Sequence, residues 1–394
     1  MIHSSESLFP QPFSSPSVVP YQLRRMGVVM RPLPLNPMEV GGVLNPGGVR
    51  SPDGSFMLFP RLVAAGNYSR IGLARVINDA DGIPCDVERL GVVLEPETPY
   101  ERASDGRGGC EDARVVHVPA LGGYVMTYVA LGPVGPRPAM AMSSDLETWT
   151  RLGLVDFSPL RGADMNLYPN KDHMLFPEPV PGPDGRLSIA MLHRPMFERP
   201  VKGDPHGRHH VSLPPGVLDE RWSAWISYCP LEDADWAMPG RGRRPTFSGH
   251  QPLFAPVHQW EGFRLGAGTP PLRLAEGWLT IYHGVERVPG ATLKPSLRYN
   301  AAALIMDHID PRRVVYRSPT PTLEPQVAEE RCGVVSDVVF PTAVDQHDTH
   351  LDVYYGMADY CIGVARMDLR PAASLAQIPD PGAIEAEFPE ELSA

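Results

Sequence analysis

What the chain lacks narrows its identity first. No apolar stretch approaches the roughly 18 residues needed to cross a bilayer. Residues 1–20 hold no basic segment followed by an apolar one, so a secretory signal is not expected either. Positive charge is scarce: 35 Lys and Arg stand against 46 Asp and Glu, a net charge of −11. That balance excludes a general affinity for nucleic acid or an anionic membrane. Cysteines are few and odd in number (Cys85, Cys110, Cys229, Cys332 and Cys361), with no Cys-x-x-Cys pair and no zinc-like spacing. Reduced thiols in a cytoplasmic protein are therefore expected, not a disulfide framework. What is plentiful is proline and glycine, 46 and 37 of 394 residues. Prolines spread along the whole chain argue against long helices and for short strands joined by turns.

The organisation follows from that punctuation. Residues 1–22 are rich in Ser and Pro and are expected to form an extended arm; residues 371–394 form a tail, and 23–370 a single domain. Within the domain, an apolar strand ending in a polar or charged residue recurs. It appears as Ser55 to Arg61, Gly123 to Tyr128, Leu187 to Arg194, Gly277 to His283 and Leu351 to Asp359. Two copies follow a Pro-Asp-Gly turn, where Pro presets φ and Gly supplies a positive φ. Five such copies predict an all-β fold, most simply a five-bladed β-propeller built by radial repetition of small sheets. A pair of irregular β-sandwiches stays open on periodicity alone. In a propeller, Arg61, Asp112, Arg194, His283 and Asp359 would meet in a central funnel.

The stretch Gly109-Cys110-Glu111-Asp112-Ala113-Arg114-Val115-Val116-His117 puts two carboxylates and an arginine at the start of a strand-like run. Strand neighbours point to opposite faces, so Glu111 and Asp112 are expected to diverge, while Asp112 and Arg114 share a face. The plainer reading is a surface ion pair; the sharper is a carboxylate positioned by a guanidinium.

Glu111-Asp112-Ala113-Arg114, Asn170 to Glu178, Leu192-His193-Arg194-Pro195, Gly266 to Pro271, Gly277 to Gly284 and Tyr354 to Asp359 together resemble the ordered motif set of glycoside hydrolase family 130. Asn45-Pro46 and the strand ending at Arg61 match as well, and the likeness runs from about Arg25 to Met367. The resemblance implies a five-bladed propeller that cleaves β-mannosides with phosphate or, in some members, with water. It implies Asp112 as general acid, its proton passing through a sugar hydroxyl. It implies a phosphate pocket of Lys171, Arg194, Arg264 and His283, and a mannosyl pocket of Asn45, Arg61 and Asp359. Phe340 stands either as an apolar face for the sugar ring or as core. Phosphate, already an anion, needs no general base but does need cations to hold it, preferably guanidinium forks. Inorganic phosphate is then a co-substrate, no cofactor is expected, and a homo-oligomer is an open prospect.

The chain departs from the family pattern in places. Lys171 and Arg264 exchange the arginine and lysine usual at those positions, Tyr299-Asn300 lacks an arginine that often follows the tyrosine, and Phe59-Pro60-Arg61 replaces a Tyr-Arg ending. These changes leave the cleaved linkage open. Two rivals remain: an inverting β-mannosidase, which needs a water-activating carboxylate, and a non-catalytic sugar-binding propeller. An insertion after Pro195 carries His206, Arg208, His209 and His210, but no second ligand group at suitable spacing accompanies them, and no metal is expected there.

Overall fold

The computed structural model describes residues 21–103, 106–197, 213–237, 244–289 and 296–369. The arm, the tail and the histidines at 206–210 lie outside them, apart from the arm's residues 21 and 22. Among the described residues the fold is all-β, with a single four-residue α-helix, Ala328–Arg331, and short 3-10 turns. None of its helices is long and apolar enough to cross a membrane.

The strands form antiparallel groups in chain order. The first holds Gly42–Arg50, Phe56–Ala64, Tyr68–Asn78 and Pro84–Leu94; the second Gly108–Val118, Gly123–Gly132, Gly135–Ser143 and Thr150–Leu154. A short parallel pairing of Tyr68 with Gly108 and Ser69 with Gly109 fuses these two into one eight-stranded sheet. The third group is built on Asn170–Leu175, Leu187–Pro195, Ala224–Pro230 and Thr246–Phe254. The fourth is built on Arg264–Gly266, Gly277–Val288, Ser296–Met306 and Val314–Arg317. The last takes Val339–Gln346, His350–Met357 and Cys361–Asp368 from the C-terminal part and completes itself with the N-terminal strand Arg24–Met30. Glu330, fully buried, pins that closing strand by accepting from Arg25 Nε at 2.8 Å and from the Tyr355 hydroxyl at 2.9 Å.

The core explains why these strands read as nearly continuous apolar runs. Strand residues alternate between two faces, and here both faces are covered. In Phe56–Ala64, Met57 and Phe59 pack with Cys110, Ala113 and Met126 of the second group, while Phe56 and Leu58 pack with Ala343, Tyr354 and Ile362 of the last. Further apolar clusters join the second group to the third, the third to the fourth and the fourth to the last. The packing therefore closes on itself.

The recurring unit seen in the sequence is the second strand of each group, not the first. The first strands, Gly42–Arg50, Gly108–Val118 and Val339–Gln346 among them, lie against one another across groups. Besides Val339–Gln346, broken between Pro341 and Ala343, three of the five carry a register break at an Asn or Asp: between Leu44 and Gly47, Glu111 and Arg114, and Lys171 and Met174. A bulge of this kind bends a strand and re-aims its side chain. At each of these breaks stands an Asn or Asp in the left-handed region: Asn45 (φ 44°), Asp112 (φ 48°) and Asp172 (φ 51°). These two residue types tolerate that conformation best among those with a side chain.

Candidate active site

The bulge on Gly108–Val118 changes the expected facing of the acidic pair. With Asp112 at positive φ, strict alternation fails, and both carboxylates reach one guanidinium. Arg61 Nη2 donates to Glu111 Oε1 at 2.6 Å and Arg61 Nη1 to Asp112 Oδ1 at 3.2 Å. Asn45 Nδ2 adds a bond to the same Asp112 oxygen at 3.0 Å, and Lys171 Nζ donates to Glu111 Oε2 at 3.0 Å. Arg61 is held from behind by Ser69 and Asn67. The expected pairing of Arg114 with the Asp112 carboxylate is replaced by another: Arg114 Nη1 donates to the Asp112 backbone carbonyl at 2.9 Å, and Nε to the Gly268 carbonyl at 2.6 Å. The guanidinium thus fixes the bulged backbone and leaves the carboxyl to Arg61 and Asn45.

These contacts set the charge state. Burial alone opposes ionisation of Asp112, but the charges of Arg61, Lys171 and Arg114 overcome it and bring its pKa down to about 2. Asp359, near the same cluster, goes the other way. Burial pushes it up to about 6, with Arg61 opposing and the Asp112 charge adding to the rise. The pair of opposed carboxyl environments predicts a pH dependence. Asp359 ionises at lower pH in the unfolded chain than in the folded one, so its protonated form favours folding below about pH 4 and that gain is lost as pH rises through about 6. Above that, Asp359→Asn is expected to stabilise the protein by about 2–3 kcal/mol. Thermal denaturation should show the variant's advantage at pH 8 and little of it at pH 4.

A second cluster adjoins the first through Lys171 and Arg194, which are register partners on neighbouring strands. Asp172, buried at 4% exposure, forms an ion pair with Arg194, its Oδ2 2.9 Å from Nε, and stands 3.5 Å from His283 Nε2. Arg194 and Arg264 both lie over the Trp222 ring, at 5.3 and 4.6 Å from its centroid. Arg264 Nη2 also donates to the Tyr299 hydroxyl. His283 is fully buried; burial first, then the charges of Arg194, Arg114 and Arg264, press its pKa well below the ordinary value, so it is neutral. His283 Nε2 lies 3.5 Å from both Arg194 Nη1 and Asp172 Oδ2, between a donor and an acceptor. His283 Nδ1, Arg114 Nη2 and Arg264 Nε are all buried and have no hydrogen-bond partner.

Phe340 lies 4.4 Å from His283 and 5.8 Å from the Arg114 guanidinium, centroid-based distances that seat it against the second cluster. The sequence-predicted residues therefore fall into two adjoining sets. Asn45, Arg61, Asp112 and Lys171 surround Glu111, with the Asp359 charge acting on the same set. Arg194, Arg264, His283 and Phe340 gather with Asp172, Arg114, Trp222 and Tyr299. Glu111, left without a role by the sequence, is the carboxylate that ties Arg61 to Lys171. Asp172 and Trp222 were missed; the signal for Asp172 was an Asp next to Lys171 inside a strand, the same signature as Asp112. Gly266 is a third omission. A Cβ there would sit 2.0 Å from Asp172 Oδ2 and 2.8 Å from His283 Cε1. Gly266→Ala is expected to displace both groups, costing about 1–3 kcal/mol of stability and at least about tenfold in turnover, read by denaturant unfolding and steady-state kinetics.

The chain is similar to several known proteins. Residues 248–375 match the sequence model of the glycoside hydrolase 130 family, described as beta-1,4-mannooligosaccharide phosphorylase. A 1,2-beta-oligomannan phosphorylase of Thermoanaerobacter sp. (strain X514) is 28% identical over 351 residues, spanning 87% of this chain and 95% of that protein. The chain is thus similar to glycoside hydrolase family 130, by the family model over its C-terminal part and by a mannoside phosphorylase along most of its length. Another relative, the beta-1,4-mannooligosaccharide phosphorylase of Ruminococcus albus, is 38% identical over 119 residues, 29% of this chain and 34% of that one. Among solved structures, the beta-1,2-mannobiose phosphorylase of Listeria innocua with beta-1,2-mannobiose shares the fold. Its TM-score is 0.62 at 23% identity, over 86% of this chain and 94% of that one. The residues matched by the family model span the fourth and last strand groups, which carry Arg264, His283, Phe340 and Asp359.

Proposed function

We propose that this protein is an inverting β-mannoside phosphorylase, with its strand groups arranged as five blades around the site. The observation that carries the reading is the excess of unanswered donors in the second cluster. Only Arg194 is ion-paired with Asp172, whose charge also acts on Arg114, and the buried N–H groups at Arg114 Nη2 and Arg264 Nε lack acceptors. An unpaired buried donor costs about 1–3 kcal/mol, and an oxyanion answers several at once. Inorganic phosphate, as co-substrate, fits that demand. The curated relatives named as phosphorylases of mannosides support the substrate class.

In this reading Asn45, Arg61 and Asp359 hold the mannosyl hydroxyls, and phosphate rests on Arg194, Arg264, His283 and Arg114, with Lys171 between the two clusters. Hydrogen phosphate attacks the anomeric carbon as the glycosidic C–O bond breaks. Asp112 supplies the proton to the leaving oxygen through a sugar hydroxyl, and the proton of the hydrogen phosphate restores it, leaving α-mannose 1-phosphate and a shortened acceptor. Asp112 is ionised in the free protein, so its protonation accompanies substrate entry: the phosphate anion offsets the cations that hold the carboxyl at about 2. Hydrolysis is disfavoured because Glu111 and Asp172 are each already bound by cations, while Asp359 is taken up in this reading by the mannosyl hydroxyls. The experiment is incubation with β-1,2- and β-1,4-mannobiose, with and without phosphate. Phosphate-dependent α-mannose 1-phosphate is expected; mannose released equally well without phosphate would overturn the reading.

A further inference from the structure

On the hairpin joining Val339–Gln346 to His350–Met357, the sequence Asp345-Gln346-His347-Asp348-Thr349-His350-Leu351-Asp352 is nearly symmetric about its turn. Asp345 and Asp352 are register partners, and the His347 amide bonds the His350 carbonyl at 2.9 Å. Alternation then puts the two aspartates and the two histidines on one face. The rings of His347 and His350 stack at 4.3 Å. His347 Nε2 stands 3.2 Å from Asp345 Oδ2 and 3.6 Å from Asp352 Oδ2, and His350 Nε2 is 3.7 Å from that same Asp352 oxygen. Yet neither Nε2 makes a hydrogen bond. The atoms converge on a common point and not on one another.

We propose that this face binds one divalent transition-metal ion of the zinc type, through His347 Nε2, His350 Nε2, Asp352 Oδ2 and Asp345 Oδ2. A tetrahedral ion with bonds of about 2.0–2.2 Å holds its ligands about 3.3–3.6 Å apart, which the spacing here nearly reproduces. Two imidazoles and two carboxylates also suit zinc better than magnesium or calcium, which take oxygen alone. The outer contacts are of the kind that orient ligands. Arg366 grips Asp352 through both carboxylate oxygens at 2.8 and 2.9 Å, and Arg50 holds Asp345 at 2.8 and 2.9 Å. Thr349 Oγ1, 3.1 Å from His350 Nδ1, takes the proton that leaves Nε2 free as a lone pair. The Arg50 contact to His347 Nδ1, at 3.4 Å, must open on binding, while Arg50 keeps Asp345 and the Gly54 carbonyl. Arg50 ends the strand that carries Asn45, so the ion fastens the last strand group to the first.

The test uses the full chain, stripped with a chelator and titrated with Co2+ and then Zn2+. One Co2+ per chain, with the intense visible absorption of a four-coordinate ion and displacement by Zn2+, is expected. His347→Ala/His350→Ala should weaken binding by at least about 100-fold, whereas a variant with alanine at His206, His209 and His210 should bind as the parent does. Absence of saturable binding, or binding that survives the first variant and disappears in the second, overturns the proposal.

Discussion

Asp112→Asn is expected to lower phosphorolysis by about 10²–10⁴-fold, the range over which a positioned general acid acts. The asparagine keeps the shape and still accepts from Asn45 and Arg61, which now meet at the Asp112 oxygen at 3.0 and 3.2 Å. The substitution removes the carboxylate charge of the free protein together with the transferable proton, so the fall should appear mainly in kcat. A substrate whose leaving group needs no proton, such as a nitrophenyl mannoside, should recover most of the rate. Undiminished turnover of mannobiose by the variant would remove Asp112 as the acid. Arg61 then makes a further distinction: because it neutralises both Glu111 and Asp112, its loss raises the Asp112 pKa but also strands two buried carboxylates.

The second large effect is on Arg194. Its guanidinium is buried, lies over Trp222, and is the charge that answers Asp172. Arg194→Met keeps the bulk and removes the charge, leaving Asp172 unpaired at 4% exposure. Breaking a buried pair on one side costs about 3–5 kcal/mol, so a clear drop in the unfolding midpoint is expected. Phosphate affinity should fall as well, by at least about tenfold, since a charge-assisted contact is worth about 1.5–3 kcal/mol. The double change Arg194→Met/Asp172→Asn separates the two effects. Stability should return in large part, because the stranded carboxylate is gone, while the KM for phosphate stays high. If phosphate binding returned together with stability, Arg194 would be a structural partner of Asp172 and not a phosphate ligand.

Much of this was legible in the chain because the relevant physics is local. Prolines and turn residues forbid long helices, and the apolar runs between them record strands covered on both faces. Motifs in order pointed to the family, and so to Asp112 and the basic residues, since each motif is a few residues long. The alternation rule misled at Glu111 and Asp112 because it assumes an unbroken pleat. A bulge removes that assumption, and a bulge depends on how the partner strand Gly123–Gly132 pairs, which lies outside the motif itself. Likewise Arg114 is a neighbour of Asp112 in sequence but serves its backbone, and the reason lies in Gly268, supplied by a distant strand group.

By itself, the sequence determined the all-β class, the likeness to a family and the kinds of side chain available for chemistry. Composition, turn residues and short motifs act over a few residues, within reach of local steric and hydrogen-bonding rules. Only the tertiary structure decided which charges meet. It brought Glu111 between Arg61 and Lys171, set Asp172 beside Arg194, and left buried donors of Arg114 and Arg264 without acceptors. Electrostatic energy depends on distance and burial across chain separations that no local pattern records. The ionised state of Asp112 and the raised pKa of Asp359 were therefore settled by packing between strand groups.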